Sequence, residues 1–363
     1  DFKKLQLREI HMQSIEEEIC SISPDEAGRY EILRITKRIA EVKNETEREI
    51  YTQRLSKKIS VSKRALKKDI KNATTKEEEV QPVLTANFPG LVDVAIDKGE
   101  TVFIIKEKNF LKVVNENGNY RPPAKENFPF SLPRAEKVLE HYCNGDDKKL
   151  FEDVVTYLKR FSFLPDKQWL IVVCKVFLTY LQDHPDIHYL PMILFYAVPE
   201  RGKSRTGKAA VYICYRGIHV VDLREANLFR FSENYNATLF IDMMDIWKKA
   251  EKNGSEDILL LRYEKGAKAA RVIYPEKGPF RDTVFYNVFG STFIATNSAM
   301  HQILDSRGIN ITMPNKPDNY ENPTPELAQT LKERLTAWRA RVIYEPLPEV
   351  DKNGLNGRLL DIS

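Results

Sequence analysis

The sequence lacks the features of several classes of protein. It has four cysteines in 363 residues, Cys20, Cys143, Cys174 and Cys214, with no C-x-x-C pair and no histidine at a partnering spacing. This argues against a disulfide framework and against a zinc site, and it favours a reducing compartment, which we expect to be the cytoplasm. No apolar run approaches the roughly 20 residues that span a bilayer, so no membrane partner is expected.

The start of the chain and its net charge also lack strong signals. The first residues, Asp1-Phe2-Lys3-Lys4, do not resemble a signal peptide, and the missing initiator methionine suggests a fragment of a longer chain. A formal net charge of +4 is compatible with nucleic-acid binding but does not argue for it. With 42% hydrophobic residues, the chain can bury a sizeable core in two or three domains.

Apolar spacing divides the chain into segments of different type. Apolar residues at helical spacing near the start are followed by a polar run, and alternation in Val92–Ile96 and Thr101–Ile105 then indicates a β-hairpin. We expect the following domains: an α-helical bundle over 1–72, a linker over 73–90, a small β-containing region over 91–145, an α/β core over 146–345 and a C-terminal tail over 346–363.

Five short apolar runs in the core predict its sheet. Helical or loop segments separate them, which is the pattern of a parallel α/β sheet. The runs are 192–198, 219–223, 238–242, 292–296 and 309–313.

A phosphate-binding pattern follows the first run. Gly202, Lys203 and Ser204 stand at the start of a helical segment, where backbone N–H groups, an ammonium and a hydroxyl could meet a nucleotide triphosphate and its Mg²⁺. The strict G-x-x-x-x-G-K-[ST] spacing has Ala197 at its first glycine. A second register, Gly202 to Gly207-Lys208, keeps the glycines but has Ala209 at the hydroxyl position. We favour the first register, because it keeps the metal-binding hydroxyl.

A carboxylate ends the third run. Asp242 follows Thr238–Ile241, where it would hold Mg²⁺ beside the loop hydroxyl of Ser204. A glutamate that activates water should come next, but Met243 stands there instead. Asp245 is a substitute for it or the N-cap of a following helix.

Two further polar residues stand where a catalytic role is reasonable. Asn297 follows the fourth run, at the carboxyl edge where ligands bind in open α/β sheets, and it would orient the lytic water. Arg307 lies in a turn before the last run, and such an arginine can reach the γ-phosphate bound by a neighbouring subunit.

Taken in this order, the motifs resemble those of the AAA+ P-loop ATPase module in primase-helicase proteins of phages, plasmids and integrated elements. The resemblance covers about residues 150–345. The segments that carry it are Leu178-Thr179-Tyr180-Leu181, Gly202-Lys203-Ser204-Arg205, Cys214-Tyr215-Arg216, Asn227-Leu228-Phe229-Arg230, Thr238–Asp242, Arg262–Lys268 with Arg271, Ala295-Thr296-Asn297 and Ser306-Arg307. The first helices, over Glu45–Ile70, resemble the helical region that follows the catalytic core of bacterial-type primases, which implies an upstream primase-like domain.

The resemblance implies an ATP- and Mg²⁺-dependent motor that works as a ring, with a hexamer expected. It implies ATP contacts from Gly202, Lys203 and Ser204 with Arg205 beside them, a metal-binding Asp242, a sensor Asn297 and a finger Arg307. Single-stranded DNA in the ring channel would meet Lys265, Lys268 and Arg271, whose spacing of three fits one helical face. Met243 motivates the alternative, an ATP-binding replication scaffold or loader with little hydrolysis.

Overall fold

The structure is a computed structural model. It describes residues 15–21, 29–42, 44–59, 61–74, 82–221, 224–243, 248, 250, 252, 256–278, 281–297, 302–315 and 319–349. The chain divides into two compact units, Asp1–Pro82 and Val83–Ser363. Asp245 and the end of the predicted tail lie outside the described residues.

The first unit contains four described helices, α1 (Ile15–Ser21), α2 (Arg29–Glu41), α3 (Glu45–Ile59) and α4 (Lys63–Thr74). They share one apolar cluster made of Ile19, Ile35, Ile39, Leu55, Ile59, Leu66 and Ile70. The Asn44 side chain accepts a hydrogen bond from the Thr46 amide (3.0 Å) at the start of α3, and the Ser62 hydroxyl accepts one from the Ala65 amide (3.3 Å) at the start of α4. Each cap satisfies an amide that the helix leaves unpaired.

The second unit begins with a small antiparallel sheet, β2 (Leu91–Asp97), β3 (Glu100–Glu107) and β4 (Phe110–Val114). The turn between β2 and β3 has positive φ at Lys98 (48°) and Gly99 (92°), which matches the strand twist in a two-residue hairpin. Two short strands, β1 (Val83–Leu84) and β5 (Tyr120–Arg121), pair in parallel beside it. Strand β1 falls within the segment that we predicted to be a linker. Its pairing partner, β5, lies far along the chain, so local composition does not reveal the strand.

Helices and strands then alternate through the rest of the second unit. The described helices are α5 (Ala135–Cys143), α6 (Asp147–Lys159), α7 (Asp166–Thr179), α8 (Lys203–Ile213), α9 (Glu225–Tyr235), α10 (Glu256–Leu261), α11 (Gln302–Asp305) and α12 (Pro325–Val342). The strands are β6 (Met192–Tyr196), β7 (Gly217–Val220), β8 (Thr238–Asp242), β9 (Lys268–Val272), β10 (Thr283–Asn287), β11 (Thr292–Thr296) and β12 (Gly308–Thr312).

Five of these strands form one parallel sheet in the order β12-β6-β11-β8-β7. The predicted α/β class with a five-stranded parallel sheet is therefore confirmed, and the ends of each strand lie within three residues of its predicted run. Residue pairing aligns the carboxyl ends, with Tyr196 opposite both Thr296 and Thr312, and Asp242 opposite Ala295. Loops that follow these strands therefore meet at one edge.

The sheet has an apolar cluster on each face, and successive strand residues alternate between them. Phe195, Phe240 and Phe293 belong to the cluster that contains residues of α6, α7, α8 and α12. Leu194 and Ile241 belong to the other, with residues of α9 and α10. This alternation fixes which residues at the strand ends face α8.

The small sheet packs on the core through α12. Val92 and Ile104 share a buried cluster with Ala337 and Ala340 of that helix. The buried Arg339 donates to the Val92 carbonyl (2.7 Å), and it pairs through both terminal nitrogens with the Asp183 carboxylate, at 2.6 Å each. Residues 83–134 and the α/β core therefore belong to one compact unit.

Two arginines enclose one aromatic ring at this junction. The guanidinium of Arg216 lies 4.8 Å, and that of Arg339 4.5 Å, from the centroid of the buried Tyr215 ring. Arg216 also pairs with Asp93 on β2 at 2.8 Å. Contacts between a cation and a ring are strongest where water is excluded, so this cluster fixes the small sheet against the end of α8.

Arg262 binds several elements of the core together. Its side chain is fully buried, and it donates to the hydroxyls of Thr292 and Ser232 and to the carbonyls of Val288, Ala237 and Ser291. Burial without a carboxylate partner lowers the pKa of Arg262 to about 9. Gly290 leaves room for it, because a Cβ there would lie 2.7 Å from the guanidinium. Among the described residues, no helix is both long and apolar enough to cross a membrane.

Candidate functional site

The loop after β6 turns through two residues of left-handed conformation. Glu200 has φ 64° and Gly202 has φ 80°, and α8 begins at the next residue, Lys203. No side chain caps this helix end. A loop of alternating conformation that leads into an uncapped helix N-terminus presents backbone N–H groups and a positive dipole end to an anion.

Lys203 lies folded within this loop. The residue is only 7% exposed, and its ammonium donates to the carbonyls of Ala197 and Val198, both at 2.8 Å. Burial lowers the pKa of Lys203, and the Asp242 carboxylate partly offsets that effect. The loop thus holds a positive charge beside Asp242.

A cleft of about 670 Å³ opens over the loop. Its charged lining is strongly cationic, with Arg201, Lys203, Arg205 and Lys208 against one carboxylate, Glu200. One terminal nitrogen of Arg201 is buried and has no hydrogen-bond partner among the described residues. The excess of cationic side chains in the lining suits the cleft to an anionic ligand.

The far wall of the cleft comes from distant parts of the sequence. It comprises Phe161, Ser162, Phe163, Pro314, Asn315, Tyr320, Asn322 and Pro323. Arg160 and Glu321 join the two segments through hydrogen bonds of 3.0 and 2.6 Å, and the Thr206 hydroxyl donates to Ser162 Oγ at 2.6 Å. Sequence reasoning missed these residues and Arg201. Arg201 was detectable from its place beside Gly202, whereas the wall depends on contacts between residues far apart in sequence.

Gly207 and Lys208 lie within α8, beyond the loop. Gly207 is buried, and a Cβ there would lie 2.1 Å from the Phe240 ring, so this glycine allows α8 to approach β8 closely. Lys208 lines the cleft from the following position. The loop with positive φ ends at Gly202, directly before the first residue of α8.

The carboxyl edge of the sheet brings Asp242 and Asn297 to the same region. Strand β11 lies between β6 and β8, so Asn297, which follows β11, comes between the loop after β6 and Asp242. Ser204, Asp242 and Asn297 are all partly exposed. Met243 is instead 7% exposed and belongs to the apolar cluster on the other face.

Arg307 lies at the opposite edge. Its carbonyl accepts from the Met192 amide (2.9 Å) at the start of β6, and its guanidinium donates to the Ile303 carbonyl (3.1 Å). Strand β12 separates it from the cleft edge, and five residues span about 16 Å. Arg307 therefore does not belong to its own chain's cleft.

The three predicted DNA-binding cations do not share a helical face, and that expectation was wrong. Lys268 and Arg271 lie on strand β9, where a spacing of three directs side chains to opposite faces. Arg271 pairs with Glu225 and lies 4.9 Å from the Phe229 ring centroid. The Lys265 ammonium donates to the His184 carbonyl at 2.6 Å. Lys268 is exposed.

Comparison of the sequence with models of protein families gave no match, and a search of curated proteins gave none either. The chemistry of the cleft and the order of the motifs are what indicate a function for this chain.

Proposed function

We propose that this chain is an ATP- and Mg²⁺-dependent motor of DNA replication in a phage, plasmid or other mobile element, as a DNA helicase or a DNA-stimulated ATPase with an AAA+ core. The observation that carries the proposal is the cleft in which Gly202, in left-handed conformation, opens α8 among four cationic side chains. Only a ligand with several negative charges matches this many donors in one small volume.

A nucleoside triphosphate fits the cleft in size and in chemistry. Small-molecule sites have volumes of about 300–1,000 Å³, and this cleft, at about 670 Å³, lies within that range. Arg201 and Lys203 supply charge at the phosphate end, and the partly buried Phe163 offers an apolar surface for the base. Arg205 and Lys208 extend the cationic side along α8.

The residues also suit Mg²⁺. Hydroxyl and carboxylate oxygens are ligands that Mg²⁺ prefers, and phosphate oxygens of the nucleotide would complete its shell. Ser204 and Asp242 would hold the ion, which when bound neutralises charge on the phosphates. Asn297, at the carboxyl edge of the sheet, would orient water.

Arg307 supports assembly into a ring. It lies across the sheet from its own cleft, so a role in catalysis requires the cleft of a neighbouring copy. A closed ring, a hexamer in our proposal, would supply one such arginine to every site.

The hairpin of β9 and β10 is the part that we propose for contact with single-stranded DNA. It lies in the chain between β8 and β11, and it exposes Val272 (62%) and Phe285 (61%). Lys268 and Arg281 are exposed on the same hairpin. Apolar or aromatic surface next to cations suits single strands, since bases stack while cations follow the phosphates.

One observation favours a second candidate, a replication scaffold or loader that binds ATP but barely hydrolyses it. Met243 stands where a water-activating glutamate is expected, and its side chain is buried in the apolar cluster on the other face of the sheet. Losing a general base lowers rates by about 10²- to 10⁴-fold.

Measurements of ATP turnover with and without single-stranded DNA distinguish the motor from the scaffold. They are made on wild type, Lys203→Ala and Lys208→Ala while assembly is monitored. For a motor, DNA stimulates wild-type turnover, and Lys203→Ala lowers it by about 100-fold or more, because Lys203 neutralises phosphate charge. Lys208→Ala retains turnover. ATP binding without turnover by wild type would establish the scaffold, and absence of ATP binding would reject both.

A further inference from the structure

A second cleft, of about 900 Å³, lies in the second unit away from the phosphate loop. It is formed by the 125–134 segment, Tyr212 of α8, the start of β7 and the first turns of α12. Its lining consists of Ile96, Lys125, Phe128, Pro129, Phe130, Ser131, Leu132, Arg134, Tyr212, Gly217, His219, Pro325, Gln329 and Lys332. The proposed function leaves this cavity without a role.

The ionised side chains that line this second cleft are all cationic: Lys125, Arg134 and Lys332. Arg134 is exposed and pairs with the buried Glu333 at 2.6 and 3.0 Å. Lys125 is exposed at the rim. The excess positive charge therefore comes from Lys125 and Lys332.

Lys332 is the side chain that most strongly indicates an anionic ligand in this cleft. It is only 4% exposed, and the described residues give its ammonium one hydrogen-bond acceptor, the Ser131 carbonyl at 2.9 Å. The ammonium also lies 5.8 Å from the centroid of the Phe130 ring. An ammonium has three N–H donors, so an anion in the cleft would satisfy donors that the protein leaves over. Burial lowers the pKa of Lys332 to about 8, which keeps it mostly charged at neutral pH.

His219 also lines this cleft. Its Nε2 atom is inaccessible to solvent and has no hydrogen-bond partner among the described residues, while its ring stacks on Phe240 at 5.4 Å. Burial and the Lys208 ammonium lower the pKa of His219, although Asp242 opposes them. Phe130 and Tyr212, both partly exposed, add aromatic surface.

We infer that this second cleft binds a nucleoside phosphate, with the phosphate at Lys332 and Lys125 and the base against the aromatic side chains. Free mononucleotide and a terminal nucleotide of a DNA strand share this chemistry. The inference depends on the cavity alone and is independent of ATP turnover at the first cleft.

Equilibrium dialysis on the Lys203→Ala chain, in which the first cleft is disabled, tests the inference. The probes are AMP, ATP and a 5′-phosphorylated thymidine trinucleotide. We expect at least one probe to bind in one equivalent. Preference for AMP or ATP would identify a free nucleotide, and preference for the trinucleotide would identify a strand end. No binding by any probe would overturn the inference.

Two added substitutions locate the binding. Lys332→Met should weaken it by about tenfold or more, because a charged hydrogen bond is lost. Lys125→Glu, at the exposed rim, should weaken it by about threefold and leaves folding intact, which covers the case in which the buried substitution unfolds the chain. Arg205→Ala, which changes only the first cleft, should have no effect. If Lys125→Glu left binding unchanged, or if Arg205→Ala abolished it, the assignment of the nucleotide to the second cleft would be contradicted.

Photo-crosslinking with 8-azido-AMP on the same Lys203→Ala chain locates the bound nucleotide independently. Adducts at residues 125–134 or at Tyr212 would support the second cleft. Adducts confined to residues 161–163 or 314–323 would place the nucleotide in the first cleft and overturn the inference.

Discussion

The ring of Phe240 occupies the space that a side chain at Gly207 would need. A Cβ atom at Gly207 would lie 2.1 Å from two of its ring carbons, well inside van der Waals contact. This contact joins the middle of α8 to the middle of β8. It therefore determines how close Lys203, at the start of α8, lies to Asp242, at the end of β8.

Gly207→Ala should destabilise the chain by about 1–3 kcal/mol, because overpacking exceeds the gain of about 1 kcal/mol that alanine gives a helix. ATP affinity should fall as well, since α8 has to move away from β8. Urea unfolding and nucleotide titration measure the two effects. The double variant Gly207→Ala/Phe240→Leu should recover part of both losses, and strictly additive effects would contradict the contact.

Met243→Glu tests whether position 243 can serve as a general base. We expect no increase in ATP turnover and a loss of stability of about 2–4 kcal/mol, because the carboxyl would enter an apolar cluster. Met243→Leu is the matched control and should change stability by less than about 1.5 kcal/mol. A rise in turnover with Met243→Glu would show that this side chain reaches the cleft.

Arg307→Ala should separate ATP binding from ATP turnover. Arg307 lies at the far edge of the sheet, so ATP affinity should stay unchanged, while turnover of the assembled protein should fall by about 10³-fold, as for loss of an arginine finger. Arg307→Lys should not rescue it, because lysine lacks the planar fork. Arg230→Ala, an exposed arginine on α9, is the control. Unchanged turnover in the Arg307→Ala assembly would end the assignment.

Lys175 predicts a dependence of stability on pH. This residue of α7 is 3% exposed, its ammonium nitrogen has no hydrogen-bond partner within the described part of the chain, and burial lowers its pKa to about 7 from 10.5. Between those pH values the unfolded chain binds a proton that the folded chain does not, so this group makes folding more favourable as pH rises. Below pH 7 the buried charge is a cost to the folded state.

Lys175→Met should therefore stabilise the chain at pH 6 by about 1–4 kcal/mol, and the gain should shrink towards pH 10. Urea unfolding of both proteins across this range isolates the residue, since other titrating groups cancel in the difference. Lys167→Met, exposed on the same helix, should change little. A gain that does not vary with pH would mean that packing, and not charge, is responsible.

The parallel sheet was predictable because each strand is a short apolar run with clear boundaries, and burial on both faces imposes that pattern. The positions of Gly202 and Asp242 relative to the sheet were predictable for the same reason, since Gly202 follows such a run and Asp242 ends one. The strand order was not predictable, and it is the order that brings Asn297 between the loop and Asp242.

The hairpin of β9 and β10 escaped prediction. Lys265, Lys268 and Arg271 have a spacing that fits a helix, and the alanines of β9 carry little strand preference. Pairing with β10, more than ten residues later, stabilises the strand instead. The role of Arg262 could not be predicted from the sequence either. The five acceptors of its guanidinium come from α9, from the residue before β8 and from residues 288–292.

Helix α12 connects two distant parts of the second unit. Asn322 and Pro323, just before it, line the first cleft, while Arg339 near its far end holds the backbone of β2. Its 18 residues form a rod of about 27 Å. A tilt of a few degrees about the end beside the first cleft would displace the other end, at the small sheet, by more than an ångström, so a change at one end of this helix would be felt at the other.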